Sequence, residues 1–358
     1  MSAPRVLFVL PARGASGGAN SVVQECIGLS RIGCTIGLAV SARHSYEFGV
    51  NYPELKDSDV QVEFYATPKE LGQHLRPYQI AVGTVNDSVF EIGDAIEHAR
   101  ARIKTAYYVQ DYEPLFYPVD TADWRRAYAS YTKLPGCALF AKTEWLRRVV
   151  YENHGVAVSK VSPSLDHEEF YPDLERTREG LTVVAMLRPR TPRRAPHRTL
   201  RVISRLAEEL KGEATFKVFG CSEEDLQKDN IELPEGVVNL GRLKRTEVPD
   251  LMRAADMFLD VSDYQAFGRT GLEAMACGCV PVVPVLGGTA EFAMHGQNAF
   301  VVDTRADDEI CDAVHQYVEM SPRYREDLRM NGLQTAAEFS IGRAALSEYR
   351  FFSDLLAA

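Results

Sequence analysis

Short apolar runs recur along the chain, and segments with apolar residues three and four positions apart fill the gaps between them. The runs in the first half are RVLFVL (5–10), CTIGLAV (34–40), VQVEFYA (60–66), QIAVGTV (79–85), KTAYYVQ (104–110) and CALFAKT (137–143). The second half adds LTVVAML (181–187), ATFKVFG (214–220), GVVNLG (236–241), DMFLDVS (256–262), CVPVVPV (279–285) and NAFVVD (298–303). Most are apolar at successive rather than alternate positions. That marks strands covered on both faces, as in a parallel sheet between layers of helices. SVVQECIGLSRIG, HRTLRVISRLAEELKG and the other intervening segments carry helical spacing. The alternation predicts an α/β chain of βαβ units.

The series restarts near residue 180. Before it lies SPSLDHEEFYPDLERTREG, polar, charged and marked by Pro163 and Pro172, which reads as an interdomain linker. The pattern predicts a doubly wound, Rossmann-like domain over residues 1–172 and a second over 173–339. The segment 340–358 is an amphipathic helix with no strand after it, and it can pack on either domain. Two such domains leave a cleft between the C-terminal edges of their strands, where open α/β sheets bind ligands. The length of 358 residues suits two domains. A formal charge of −10 argues against a nucleic-acid partner. The seven cysteines are scattered, with no zinc-ligand spacing, so no zinc site is expected and a reduced, cytoplasmic protein fits. No apolar run reaches the roughly 18 residues of a membrane span. Peripheral membrane contact stays open.

The candidate chemistry sits in loops that follow strands and precede helices. The loop PARGASGGANSVV (11–23) has Gly14, Gly17 and Gly18 and so lacks the dinucleotide fingerprint. Adjacent Gly17 and Gly18 still let a backbone approach a phosphate or sugar, or simply make a tight turn. In MLRPRTPRRAPHRTL (186–200) stand Arg188, Arg190, Arg193, Arg194 and Arg198, with no acid from Arg188 to Leu206. Guanidiniums gathered without acids call for an anion. A diphosphate suits their fork, and an anionic membrane surface is the rival. SDYQAFGRTGLEAMACGCVPVV (262–283) places the N–H groups of Gly268, Arg269 and Thr270 at a helix start, a nest for an anion. Glu273, on the first turn, serves the helix dipole or accepts from a ribose diol. Together these features describe a nucleoside diphosphate site. A fourth stretch, YYVQDYEPLFYP (107–118), ends a strand with Asp111, Tyr112 and Glu113. Its carboxylates cap a turn or bind sugar beside aromatic faces. In LGGTAEF (286–292), Gly287 and Gly288 precede a helix, and Glu291 is a first-turn dipole partner or, on the resemblance described next, stands in a loop that faces a sugar donor.

On these residues the chain resembles the retaining glycosyltransferases of family 4, whose fold is GT-B. SDYQAFGRTGLEAMACGCVPVVPVLGGTAEF resembles the family's signature, and GGANSVV its N-terminal glycine loop. SPSLDHEEFYP is similar to its interdomain segment, and LGRLKRTEVPDLMRAADMFL to the segment that holds the base, Leu243 included. The resemblance implies that the helix 340–358 crosses back onto the first, acceptor-side domain, that the second domain binds the nucleotide sugar, and that a sugar is transferred from this donor to a glycan or lipid-linked acceptor. It implies retention of anomeric configuration and no metal or other cofactor. Glu273 would hold the ribose, Gly268, Arg269 and Thr270 the diphosphate, and Arg188 and Arg193 the leaving phosphate. QDYEPLFYP resembles a rhamnosyltransferase-like subset that builds surface polysaccharide, which points to L-rhamnose and to work at the inner face of a membrane. Two departures stand out. Gln265 occupies the place of a family glutamate near the donor sugar, and Arg193 that of a lysine. Asp111 is the candidate base if the reaction inverts. The rivals are a sugar-nucleotide epimerase or phosphorylase on the same frame and a non-catalytic nucleotide-sugar or glycan-binding subunit.

Overall fold

Arg5–Leu10 forms β1, and its surroundings explain its composition. Side chains of a strand alternate between faces. Val6, Phe8 and Leu10 enter one core with Val22, Cys26 and Leu29 of the helix Gly17–Arg31. Leu7 and Val9 enter another, with Leu71, Leu75, Ile92 and Ala95. A strand covered on both faces has no side for polar residues, hence the unbroken run.

The computed structural model describes residues 3–11, 17–175 and 180–358. Gly14, in the first glycine loop, and residues 176–179 of the expected linker lie outside the described residues. After β1 come β2 (Thr35–Ser41), β3 (Gln61–Tyr65), β4 (Ile80–Gly83), β5 (Lys104–Val109), β6 (Ala138–Ala141) and β7 (Val158–Lys160). They lie in the order β3-β2-β1-β4-β5-β6-β7, every pair parallel. A second parallel sheet holds β8 (Leu181–Met186), β9 (Ala214–Phe219), β10 (Val237–Asn239), β11 (Met257–Leu259), β12 (Val280–Pro284) and β13 (Phe300–Val302). Its order is β10-β9-β8-β11-β12-β13. Both sheets are doubly wound and Rossmann-like. Each reverses its winding beside its opening strand, between β1 and β4 and between β8 and β11. Ligands of such sheets bind at the strand C-termini there.

The chain divides into two units, Met1–Ser164 with Phe339–Ala358, and Leu165–Glu338. The division falls eight residues before the expected boundary at 172 because the second unit holds the segment after Ser164. Arg253 donates to the carbonyls of Glu169 (3.4 Å) and Tyr171 (3.5 Å) and lies 4.3 Å over the Tyr171 ring. The helix Ile341–Ala357 belongs to the first unit. Its Phe352 meets Phe8 and Phe140 edge-on, at 6.0 and 5.7 Å between centroids. Gly28 admits it closely, since a Cβ there would lie 2.7 Å from Ile341 Cγ2. Among the described residues, no helix is long and apolar enough to cross a membrane.

Candidate functional site

In the second unit β8 pairs with β11, so the loops leaving these two strands emerge side by side. One carries the arginines and the other carries residues 260–268. Motifs distant in sequence thus become neighbours at the switch point. The backbone N–H of Asp263 donates to the Arg193 carbonyl at 2.9 Å. Arg198 Nη1 donates to the Val261 carbonyl (3.0 Å) and to Asp263 Oδ1 (2.8 Å). Arg194 Nη1 reaches Ser262 Oγ at 3.4 Å and stands 3.8 Å from Asp260 Oδ2. A cavity of ≈ 10 Å³ is lined by Met186, Arg194, Asp260, Ser262 and Thr270 among others, about room for one water.

The arginine cluster is therefore not without acids, as its own stretch of sequence suggests. Asp260 and Asp263 come from the neighbouring loop, and Arg190 lies 3.4 Å from Asp229. Arg188 differs from these. Its Nε contacts the Met186 sulfur at 3.3 Å. Much of Arg188 is exposed, yet partial desolvation first, and then the like charges of Arg194 and Arg242, hold its guanidinium below the usual arginine range. Arg242 forks onto Asp225 at 2.9 and 2.8 Å. The Ser222 backbone N–H first and Arg242 second bring Asp225 down to about 2. The backbone beside Arg188 is tight. Gly220 has φ +106°, and a Cβ there would lie 3.0 Å from the Leu187 carbonyl oxygen. Arg193 is half-buried, and its carbonyl ties the two loops together. Ala195, at the head of the helix Pro196–Glu209, has φ +47°, the left-handed region that a side chain resists.

The helix Arg269–Ala276 begins after Gly268, whose φ of +91° favours glycine. Its first N–H groups, those of Arg269 and Thr270, start the helix at the mouth of the same loop. Glu273 is buried, and its Oε1 accepts from Arg269 Nε at 2.9 Å. Burial pushes its carboxyl up from the usual carboxylate range, against the pull of Arg269 and Arg245. Arg245 Nη1 stands 3.5 Å from Glu169 Oε2. Two carboxylates and two guanidiniums thus meet around Glu273. Sequence reasoning misses Glu169 and Arg245, although both fall within segments that resemble the family. Leu243 is half-buried in the loop after β10, next to Arg242. Gln265 is buried. Its Nε2 donates to Asp260 Oδ2 (2.5 Å) and Ser262 Oγ (3.2 Å). Its backbone bridges to the glycine loop after β12, where Gly288 N–H donates to the Gln265 carbonyl at 2.7 Å.

In the first unit the C-terminal ends of β1, β4 and β5 are joined by Gln110, which donates to the Thr84 carbonyl (2.8 Å), and by Thr84 Oγ1, which donates to the Val9 carbonyl (2.7 Å). Gly17 and Gly18 open the helix Gly17–Arg31. A Cβ on Gly18 would stand 3.1 Å from Gln110 Oε1. Asp111 Oδ1 accepts from the next N–H, that of Tyr112, at 2.8 Å. Tyr112 is buried, bonded to His154 (3.1 Å) and packed on Tyr131. Glu113 caps the helix Asn86–Ala99. It accepts from the Asn86 backbone (2.9 Å), the Asn86 side chain (2.5 Å) and Tyr107 OH (3.0 Å). Burial nonetheless pushes Glu113 up to about 7. Internal partners thus occupy both Tyr112 and Glu113. Among the described residues, no group of three His, Cys, Asp or Glu side chains is placed to hold a metal ion.

Residues 168–335 match the family model of glycosyl transferases group 1. The chain is 29% identical over 178 residues to the mannosylfructose-phosphate synthase of Agrobacterium fabrum (strain C58 / ATCC 33970), a stretch covering 43% of this chain and 39% of that protein. It is 25% identical over 235 residues to the D-inositol 3-phosphate glycosyltransferase of Kribbella flavida, covering 58% of this chain and 54% of the relative. The chain therefore spans about half or less of the length of these curated relatives. Along 99% of both chains it shares its fold with Anabaena Alr3699/HepE, solved in complex with UDP and glucose, at a TM-score of 0.78 and 15% identity. The chain has the GT-B fold, and residues 168–335, most of its second unit, match the glycosyl transferases group 1.

Proposed function

We propose that this protein is a glycosyltransferase that moves a sugar from a nucleotide diphosphate donor to a glycan acceptor, with retention and without a metal ion. One observation carries the reading. At the β8/β11 switch point an arginine loop and a glycine-led helix start meet, with a buried carboxylate on the helix's first turns. The family match of the same unit and the neighbour solved with UDP and glucose support it. In this reading Glu273 keeps Oε1 on Arg269 and offers its remaining lone pairs to the ribose diol. The N–H groups of Arg269 and Thr270 and the Arg188 guanidinium take the diphosphate. Arg188 stands among like charges, so an incoming dianion relieves repulsion as it binds. The same groups stabilise the charge that builds on the leaving phosphate, with the largest effect in the transition state. The amide of Gln265 offers no carboxylate to the anomeric carbon, so leaving-group stabilisation bears the step. Retention, metal independence and Arg193's contact with the phosphate follow from the family resemblance. An L-rhamnosyl donor and a role in surface glycan synthesis rest on residues 110–118.

The test is turnover of UDP-, GDP-, ADP- and dTDP-sugars, dTDP-L-rhamnose included, with a panel of glycan acceptors after thorough chelation. The expected result is transfer with one donor class and a product of unchanged anomeric configuration by NMR. Nucleotide binding without turnover of any donor would overturn the enzyme reading. Activity restored only by magnesium would overturn metal independence.

A further inference from the structure

The amide of Gln265 has two nearly isosteric ends, a donating NH2 and an accepting carbonyl, and either can face a ligand. The surroundings decide which. Asp260 is buried, at 7% exposure, and so is Gln265, at 7%. A carboxylate only accepts, so it takes the NH2. Nε2 donates to Asp260 Oδ2 at 2.5 Å and to Ser262 Oγ at 3.2 Å, which accounts for both N–H groups. The Ser262 hydroxyl donates in turn to Asp260 Oδ1 (2.5 Å), which leaves its oxygen to accept from Nε2. The Ser262 backbone N–H also donates to Oδ1 (3.2 Å). Each bond agrees in polarity with the next. Turning the amide over would set its oxygen against the carboxylate. Among the described residues no hydrogen bond reaches Gln265 Oε1. The backbone cannot swing away, since it is bonded on both sides to Leu286 and Gly288. Asp260 itself lines the small cavity with Arg194 and Thr270, beside the helix start proposed to take the diphosphate.

We propose that Asp260 is a positioning residue that locks the Gln265 amide with its carbonyl outward, making position 265 a hydrogen-bond acceptor for a hydroxyl of the donor sugar. The inference rests on the reading of the second unit as the donor site. A site built to accept from one hydroxyl rejects the sugar lacking it far better than an apolar wall does.

Exchange of the two groups tests it. Asp260→Asn puts an amide against an amide, which is satisfied in either orientation. It should bind UDP, GDP, ADP or dTDP as the wild type does in calorimetry, yet lose at least about tenfold in kcat, the scale of one lost hydrogen bond. Gln265→Glu sets two carboxylates in contact and should lower Tm. The double variant D260N/Q265E exchanges the two groups, so that an amide at 260 donates to a carboxylate at 265, and should recover both Tm and turnover. Wild-type kcat in D260N would overturn the proposal. So would a double variant that recovers Tm without turnover, and that pair of readings decides the matter if D260N fails to fold. A wild-type protein that binds none of the four nucleotides and turns over no sugar nucleotide would remove the donor site itself, and this proposal with it.

Discussion

At the scale of single residues, Glu273 and Arg188 should separate binding from chemistry. Glu273 has a structural partner in Arg269 as well as its proposed ligand, so Glu273→Ala removes both at once and takes a carboxylate partner from the half-buried Arg269 guanidinium. Glu273→Gln is the cleaner variant, because its amide oxygen can still accept from Arg269. We expect E273Q to hold its Tm while nucleoside diphosphate affinity drops about tenfold or more, since charged hydrogen bonds are worth about 1.5–3 kcal/mol. Titration calorimetry reads this directly, and an unchanged Kd would leave Glu273 a purely structural residue. Arg188 should behave in the opposite way. Its neighbours Arg194 and Arg242 repel it, so Arg188→Ala should leave Tm level or slightly higher while kcat falls further than donor affinity. A fall in affinity with kcat intact would assign it to ground-state binding alone. The sequence shows these residues as types in a pattern, but not their partners. The acids that meet Arg194 and Arg198 lie more than 60 residues away, at 260 and 263, and only the pairing of β8 with β11 brings them close.

At the scale of elements, a buried and a half-buried group of the first unit should give stability opposite slopes with pH. Glu113, at the head of the helix Asn86–Ala99, is raised from 4.5 to about 7 by burial. The native state keeps a proton that the unfolded state gives up, so this contribution is full below pH 4.5 and lost as pH rises through about 7. It amounts to about 3 kcal/mol at most. His154 packs on Tyr112, Tyr128 and Tyr131, and burial lowers it from 6.5 to about 4. Its contribution is full above pH 6.5 and lost as pH falls through about 4. Melting curves from pH 4 to 8 should show Glu113→Gln gaining on the wild type as pH rises, and His154→Phe gaining as pH falls. Parallel curves would refute both assignments. The glycine loop after β12 is a second element-level device. Gly287 has φ +117°, and a Cβ there would collide with the Gln265 carbonyl oxygen. Gly287→Ala should therefore lower Tm and displace Gln265 together. Most strands are legible in advance because burial on both faces writes apolar runs. β7 is not, since only Val158 of its three residues is buried and it pairs along one edge. The cap role of Glu113 is one of two readings that the sequence allows. The choice depends on Asn86, which lies 27 residues away along the chain.

At the scale of the whole molecule, the first unit is discontinuous, and its last helix should be indispensable to it. The pattern of residues 340–358 marks an amphipathic helix but leaves its partner open, because an apolar stripe fits any apolar face. Phe8, Phe140 and Gly28 settle the choice by shape. A buried ionic group adds to it. Glu348 of the last helix is fully buried with Glu25 and Lys142. Lys142 pairs with Glu25, which also accepts from Tyr108 OH at 3.1 Å. Burial first, then the Glu25 charge, push the Glu348 carboxyl well above its usual range, which favours its neutral form in the folded unit. In that form one lysine balances one carboxylate, and a protonated neighbour lies beside them. Glu348→Gln replaces a neutral acid by a neutral amide of the same shape and should cost little. Lys142→Met strands the Glu25 charge and should cost about 3–5 kcal/mol. Deleting residues 339–358 removes Phe352 and Glu348 together, and should unfold the first unit while the second, continuous from Leu165 to Glu338, still melts as a unit of its own. Calorimetry of the truncated chain distinguishes the outcomes. A retained first-unit transition, or E348Q as damaging as K142M, would mean that the helix docks by its apolar face alone or that Glu348 is ionised where it lies.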